Sequence, residues 1–304
     1  MSSGPRRVIL RAVCRLFGFR SVIPSQVHRS LMDADNALGV QSEKHCDGWG
    51  VAYYVDGSPH ILRSPTSAIT DQLFHRVSGV VASETVLAHV RLATVGELNV
   101  LNCHPFQHGR WTMAHNGEVR RYPEFADTLK QSIAPRLRRF VLGDTDSEVL
   151  FYLFLTHLQA YGPLSGRLGL DAIVPALRET IELVREKCDG DEEALRALLT
   201  IIVTDGTCMA AHQGGKELFW SSYKNRCADR DECPSLAPEC EAPTTTGFVN
   251  HLIFNSPAPS CGSSPARTPP SCFRHCAPEC ARPSVPLPSK CLAPTTANSR
   301  FRKQ

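Results

Sequence analysis

The chain has 304 residues, of which 42% are hydrophobic and 21% are charged, as in ordinary folded globular proteins. Its net charge of +3 gives little support to nucleic-acid binding, which usually requires a clustered basic face. No apolar run approaches the roughly 18 residues that a membrane-spanning helix needs. The length predicts one large globular domain or two small ones. The low net charge and the lack of a long apolar run predict that neither a nucleic acid nor a membrane is a partner.

Predicted strands dominate the first part of the chain. Apolar runs bounded by turn residues predict strands at 14–21 and 48–55. Asp56-Gly57 then predicts a hairpin turn into a strand at 60–63. Helical spacing of apolar residues predicts a helix at 71–80. Two further strands are expected at 85–92 and 111–114.

Helices follow, and strands then return. Helices are predicted at 123–133, 145–161, 171–188 and 194–198, and strands at 199–204, 208–212, 218–223 and 248–254. Thr145 is the expected N-cap of the second helix, and Glu148 three residues later completes a capping box. Groups of strands around a helical block predict a layered α+β domain over residues 14–255.

The composition changes abruptly at residue 256. Residues 256–304 hold ten of the 22 prolines and five of the 13 cysteines, with seven basic residues against one acidic residue. The segment has no helical or strand period, which predicts a disordered tail. Two alternatives are a zinc site at Cys272, His275, Cys276 and Cys280, and a translated frameshift near Ser256.

The cysteine pattern favours a reduced, cytoplasmic protein. Eight of the thirteen cysteines lie from Cys227 onward, and the other five are scattered singly, unlike a disulfide framework. The short apolar patch Val8-Ile9-Leu10 is too short for a secretory signal. We therefore expect a cytoplasmic location.

Cys14 is a candidate nucleophile at the front of the first predicted strand. A free α-amine has a pKa near 7.7–8.0, so an amine on the same residue can take and return the thiol proton near neutral pH. This chemistry requires Cys14 to be the first residue of the mature chain. The alternative is a buried structural cysteine on a strand.

Three further segments carry binding chemistry. Arg91 lies at the end of the predicted strand at 85–92 and offers a planar fork for a carboxylate, the alternative being a surface salt bridge. Asn116 and Gly117 supply two neighbouring N–H donors for an oxyanion, the alternative being an Asn-Gly turn. Asp146 offers a carboxylate for an ammonium group, the alternative being a helix cap. Together these groups predict an α-amino acid ligand whose side-chain acyl group is attacked by a thiolate.

The order and spacing of six segments resemble the class II glutamine amidotransferases of the Ntn-hydrolase fold. Within that family the chain is most similar to the small stand-alone members, such as the γ-glutamyl hydrolases of ergothioneine biosynthesis and the amidotransferase-like subunit of glutathione degradation. The segments are Cys14-Arg15-Leu16-Phe17-Gly18, Asp47-Gly48-Trp49-Gly50, the run 89–96, Asn102-Cys103-His104-Pro105-Phe106, His115-Asn116-Gly117-Glu118 and Thr145-Asp146-Ser147-Glu148.

The resemblance implies a four-layer αββα sandwich with two antiparallel sheets. It makes Cys14 the nucleophile, its own α-amine the base, and Asn116 and Gly117 the oxyanion hole. It further implies that Arg91 binds the α-carboxylate of glutamine, that Asp146 binds the α-ammonium, and that Thr94 lines the pocket. Trp49 and His104 are expected to be structural.

The implied function is a glutamine amidotransferase or amidohydrolase. It hydrolyses the γ-amide of glutamine or of a γ-glutamyl compound through a Cys14 thioester, without a metal or organic cofactor. The ligand is a small molecule, and ammonia transfer would need a separate synthase, with a hydrolase subunit as another partner. The alternative is a catalytically inactive Ntn-fold partner or regulatory subunit.

Residues 1–13 stand in front of the expected nucleophile. Valine at position 13 can be encoded by GUG, which can also start translation, so we expect residues 1–13 to be a non-native or removed extension. Proteolytic maturation is the other route to a free Cys14.

Overall fold

The computed structural model describes residues 14–33, 37–42, 46–93, 95–225, 248–256 and 285–286. Within these ranges the strands are β1 (Arg15–Gln26), β2 (Trp49–Val55), β3 (Ser58–Ser64), β4 (Ala82–Val90), β5 (Phe106–His108), β6 (Trp111–Glu118), β7 (Leu198–Thr204), β8 (Met209–His212), β9 (Phe219–Asn225), β10 (Phe248–Asn255) and β11 (Val285–Pro286). They form two antiparallel sheets, ordered β11-β9-β10-β1-β4-β2-β3 and β5-β6-β7-β8.

Helices cover the outer faces of the sheets. They are α1 (Leu38–Gln41), α2 (Gln72–Val80), α3 (Tyr122–Ser132), α4 (Pro135–Arg138), α5 (Asp146–Leu158) and α6 (Leu170–Cys188). A π-helical turn spans Arg29–Asp33, and 3-10 turns span Val100–Asn102 and Glu193–Leu195. Among the described residues, no helix combines the length and the apolar character needed to cross a membrane.

The alternation of β1 shows how the layers stack. Successive side chains of a strand point to opposite faces. Leu16 lies in a core cluster with Ala114 and Ile202 of the second sheet, so this cluster fills the space between the sheets. Phe17 lies instead with Phe74 of α2, in the cluster behind the first sheet.

A third cluster packs the second sheet against α3, α5 and α6, with Met113 and Phe151 among its members. The layer order is therefore helix, sheet, sheet, helix, and the predicted αββα sandwich with two antiparallel sheets is confirmed.

The short-range predictions hold where local chemistry is strong. Asp56 and Gly57 adopt positive φ values of 50° and 77°, as a two-residue hairpin turn between β2 and β3 requires. The Thr145 side chain accepts a hydrogen bond from the Glu148 backbone N–H at 3.3 Å and caps α5 as predicted. The predicted return contact of the capping box, from the Glu148 carboxylate to the N-cap, is wrong. That carboxylate accepts from Leu142 N–H and Gly143 N–H instead.

Long-range pairing overrides two local expectations. The helix predicted at 194–198 is wrong, because only a 3-10 turn forms there and Leu198 begins β7. Asn116-Gly117 is not a turn, since both residues lie inside β6 and pair with Thr200 and Leu199. In both places a partner strand decides the conformation.

Residues 1–13 lie outside the described residues, as do the cysteines and the histidine of the alternative zinc site. The boundaries at 13/14 and 255/256 remain predictions. Ser256, one residue beyond the second boundary, is 3% exposed, and its N–H donates to Leu16 O at 3.0 Å.

Candidate active site

Cys14 precedes β1, and its thiol lies against the chain that leaves β4. The Leu92 N–H donates to Cys14 Sγ at 3.2 Å, and the thiol donates to the Leu92 carbonyl at 3.3 Å. The pairing of Arg15 with Val90 sets this register, because it places the residue before β1 beside the segment after β4. The candidate nucleophile and Arg91 are therefore brought together by strand pairing.

The thiol needs a base. Burial raises the pKa of Cys14 above its usual value, although the Leu92 hydrogen bond and the nearby Arg91 and Arg15 guanidinium groups oppose this effect. A thiol with a raised pKa is mostly protonated at neutral pH, and the thiolate is the reactive form. A peptide nitrogen on Cys14 is not basic, whereas a free α-amine titrates near pH 8.

Arg91 is buried, with 3% of its surface exposed. Its guanidinium donates to the carbonyl oxygens of Val95 at 2.8 Å, Glu97 at 3.1 Å and Gly96 at 3.3 Å. The alternative of a surface salt bridge is therefore wrong. Arg91 carries a buried positive charge beside the thiol and ties down the loop that follows it.

Asp47 also organises this loop, a role that sequence reasoning did not assign. Its carboxylate accepts from Ala93 N–H at 2.8 Å, and its N–H donates to Arg91 O at 3.2 Å. The signal was its place in the Asp-Gly-Trp-Gly segment, where a carboxylate precedes β2. Thr94, predicted to line the pocket, lies outside the described residues.

Asn116 and Gly117 lie near the end of β6. Asn116 is 2% exposed, and its Nδ2 donates to Ser256 Oγ at 3.4 Å. Its Oδ1 is buried without a hydrogen-bond partner among the described residues. A Cβ added at Gly117 would lie 1.7 Å from the Leu198 carbonyl oxygen, so this position requires glycine. The Asn116 amide can therefore form further hydrogen bonds besides the one to Ser256.

Asp146 lies in the first turn of α5 and is held by β6 and the segment that follows it. Its Oδ2 accepts from Val119 N–H at 2.7 Å, and its Oδ1 accepts from the Ser147 hydroxyl at 3.1 Å. Ser147 Oγ also lies 2.8 Å from His115 Nδ1. A carboxylate has about four lone-pair sites, so Asp146 retains acceptor capacity beyond these bonds.

Two buried histidines adjoin Arg91, and the sequence analysis gave them no catalytic role. The rings of His89 and His104 lie 4.2 Å apart between centroids. Burial, together with the positive charges of neighbouring histidines and arginines, holds the pKa of His104 well below its usual value. A neutral His104 ring adds no charge beside Arg91.

The structure joins the predicted groups in two sets. Cys14 contacts Leu92, next to Arg91, whereas Asp146 contacts Ser147 and Val119, close to the end of β6. Asn116 reaches β1 through Ser256, whose hydroxyl also accepts from Leu16 N–H at 3.1 Å. Among the described residues no direct hydrogen bond links Asp146 or Asn116 to the thiol.

Comparison with known families decides the class. The family model described as "Glutamine amidotransferases class-II" matches residues 13–223, more than half of the chain. The chain belongs to the class-II glutamine amidotransferases. The predicted resemblance is thereby confirmed, and the alternative of a non-enzymatic member is not favoured.

Curated relatives of this amidotransferase carry related names. The probable glutamine amidotransferase DUG3 of Saccharomyces cerevisiae is 33% identical over 175 residues, covering 53% of the chain and 49% of the relative. The gamma-glutamyl-hercynylcysteine sulfoxide hydrolase of Mycobacterium tuberculosis is 38% identical over 121 residues, covering 36% of the chain and 51% of the relative. The matches thus span about half the length of these two relatives.

A solved structure supports the fold. The glutamine aminotransferase class-II domain protein of Silicibacter pomeroyi superimposes with a TM-score of 0.51 and 22% identity, covering 80% of this chain and 88% of that chain. At this identity the likeness concerns the fold, and it agrees with the two antiparallel sheets of the amidotransferase.

Proposed function

We propose that this class-II amidotransferase hydrolyses the γ-amide of glutamine or of a γ-glutamyl compound through a thioester on Cys14. The single observation that carries the proposal is the thiol held between the N–H and the carbonyl of Leu92, one residue from the buried Arg91. A nucleophile beside a buried cation suits a substrate that carries a carboxylate near the attacked acyl group.

The reaction begins when the Cys14 sulfur attacks the γ-carbonyl carbon. The thiol proton passes to the α-amine of a mature Cys14, and the carbonyl π electrons move to oxygen, where Asn116 Nδ2 and Gly117 N–H donate. The tetrahedral intermediate expels its nitrogen group, which takes the proton from the amine and leaves as ammonia or an amine. Water then attacks the thioester, releases the γ-carboxylate and restores the thiol.

Substrate binding is assigned to two charges of opposite sign. Arg91 binds the α-carboxylate and Asp146 binds the α-ammonium. These two contacts fix the α-carbon of the substrate and so position its γ-acyl group. Thr94 lines the same pocket in this proposal. The relatives' names include a gamma-glutamyl-hercynylcysteine sulfoxide hydrolase, which favours a γ-glutamyl metabolite over free glutamine as the donor.

The partner and the compartment belong to the same proposal. A hydrolase needs no ammonia acceptor, whereas an amidotransferase would require a separate synthase, and isolation of the native protein with bound subunits would distinguish the two. We place the protein in the cytoplasm because the cysteines of the described residues are free thiols. Recovery of the protein from an exported fraction would contradict this location.

The decisive variant is Cys14→Ala, measured by release of glutamate from glutamine and from a panel of γ-glutamyl amides. Loss of the nucleophile should lower kcat by more than about 10³-fold. Cys208→Ala is the matched control, because Cys208 is also a half-buried free thiol. The carbonyl of its neighbour Thr207 accepts a bond from Arg20, in the middle of β1 and six residues from Cys14. Retained turnover in Cys14→Ala would overturn the proposal.

Maturation is tested on the same preparations. We propose that the catalytic unit begins at Cys14 and that residues 1–13 are absent from the active protein. N-terminal sequencing of the active protein, after labelling with a diazo-ketone analogue of glutamine, should read from Cys14. An active and labelled chain that starts at Met1 would refute the α-amine as base, and an unlabelled, inactive chain would support the non-enzymatic alternative.

A further inference from the structure

Ser256 joins the two sheets beside the proposed oxyanion site. Its hydroxyl oxygen accepts from the backbone N–H of Leu16 at 3.1 Å and from Asn116 Nδ2 at 3.4 Å. Leu16 is the second residue after Cys14 and belongs to the first sheet, whereas Asn116 belongs to the second. One buried hydroxyl therefore contacts both the strand of the nucleophile and the proposed oxyanion donor.

The position of this hydroxyl follows from how β10 ends. The last pair of β10 with β1 is Asn255 with Phe17, and Ser256 then lies across from Leu16. Ser256 N–H donates to Leu16 O at 3.0 Å, as in a continuing ladder. In a hydrogen-bonded pair of an antiparallel ladder, the two opposite residues exchange both backbone bonds. Here the Ser256 side chain takes the Leu16 N–H, so the hydroxyl oxygen is held at the ladder's edge.

The Asn116 amide needs such a contact. An amide group has two N–H donors and one acceptor oxygen, and it can turn about its terminal bond. Asn116 Oδ1 has no hydrogen-bond partner among the described residues, and within them Ser256 accepts the hydrogen bond that the amide nitrogen donates. A donor aimed at a developing oxyanion stabilises it most when its orientation is set before the reaction.

We infer that Ser256 is a positioning residue, which orients the Asn116 amide as an oxyanion donor and aligns it with the strand that carries Cys14. The hydroxyl takes one N–H of the amide and leaves the second for the substrate oxygen. This inference rests on the proposed function, because it assumes that Asn116 serves the oxyanion. It assigns a role to the residue at which the chain's composition changes.

The test compares Ser256→Ala, Ser256→Thr and Asn116→Ala, singly and with Ser256→Ala and Asn116→Ala combined, in the full chain. Ser256→Ala should lower kcat for γ-glutamyl amide hydrolysis by roughly 10-fold to 100-fold, with KM little changed, since orientation of an oxyanion donor is lost. Ser256→Thr keeps the hydroxyl and should restore most of kcat. In the Asn116→Ala background, Ser256→Ala should cause little further loss.

Ser83→Ala is the matched structural control. Ser83 is also buried, and its hydroxyl oxygen accepts from the backbone N–H groups of Tyr54 at 3.2 Å and Thr85 at 3.1 Å. It belongs to β4 and pairs with Ser25, close to the end of β1 that is far from Cys14. Its variant should lower thermal stability without changing kcat, which separates a lost strand contact from lost positioning.

Each outcome has a distinct meaning. An unchanged kcat in Ser256→Ala, with a clear loss in Asn116→Ala, overturns the role of Ser256 and leaves the proposed function standing. An unchanged kcat in Asn116→Ala overturns the oxyanion assignment, and the inference with it. A loss in Ser256→Ala that is equally large in the Asn116→Ala background shows that Ser256 acts independently of Asn116 and overturns the inference. A Ser256→Thr variant that folds but stays as slow as Ser256→Ala overturns it too.

Discussion

Gly117→Ala is the substitution whose consequence the structure defines most sharply. A Cβ at this position would lie 1.7 Å from the Leu198 carbonyl oxygen and 2.6 Å from its carbonyl carbon, and Cβ contacts under 3.0 Å essentially never occur. His115 Nε2 would also lie 2.6 Å away, but the Leu198 atoms belong to backbone, so no change of rotamer relieves the contact. Strands β6 and β7 would have to separate locally by about 1.3 Å, which is the difference between 3.0 Å and 1.7 Å.

The Leu198 carbonyl cannot retreat freely. It also lies 2.8 Å from His115 Nε2, and Gly117 pairs with Leu199 in the ladder between β6 and β7. Overpacking of this kind costs about 1–3 kcal/mol. For a domain of 150–250 residues, each kcal/mol shifts Tm by about 2–4 °C, so a fall of about 2–12 °C is expected.

The effect on catalysis should exceed the effect on stability. A shift of about 1 Å in a catalytic group can lower the rate by about 10²-fold, and Gly117 supplies a backbone N–H to the proposed oxyanion site. We therefore expect kcat/KM to fall by about 10²-fold while the protein stays folded at 25 °C. Thermal unfolding by circular dichroism and glutamate release from the same preparation measure the two effects.

Gly79→Ala is the control for adding a methyl group. Gly79 lies in α2, and a Cβ there would meet nothing within 4 Å. An alanine in a helix should leave stability unchanged or raise it by roughly 0.5–1 kcal/mol. If Gly117→Ala matched the unmodified protein in both Tm and kcat/KM, the close approach of β6 to Leu198 would be refuted.

Two further predictions concern charge and pH. Arg91→Lys should raise KM by about 10-fold or more with a smaller effect on kcat, because a point charge replaces the planar fork proposed to bind the α-carboxylate. Arg20→Lys, in a pair with the half-exposed Glu84, is the control, and an unchanged KM in Arg91→Lys would count against the carboxylate role. Burial, assisted by Arg185, lowers the pKa of His212 to about 4, whereas an unfolded histidine titrates near 6.5, so stability is retained above about pH 6.5 and declines towards pH 4. His212→Gln should make that decline shallower in urea unfolding between pH 7 and pH 4.5, and equally steep declines would disprove this contribution.

Local patterns of the chain were sufficient for much of the architecture. The apolar run before Asp56-Gly57 predicted β2, the hairpin turn predicted β3, and the Thr145 cap predicted the start of α5. The six segments predicted the family and the sandwich, because their shared order and spacing are far more specific than any one segment. Short elements such as α1 and β5 escaped prediction, since three or four residues carry too little periodicity.

The sequence by itself determined the residue types of the candidate site and the class of ligand that they suit. Only the tertiary structure decided how these residues are held, because their partners lie far away in sequence. Cys14 meets Leu92 across 78 residues, and Ser256 meets Leu16 across 240. Such contacts depend on strand register and on the spacing of the two sheets, which no local pattern encodes. For the same reason Asn116-Gly117 became part of a strand: its pairing with β7 outweighed the local preference of that dipeptide for a turn.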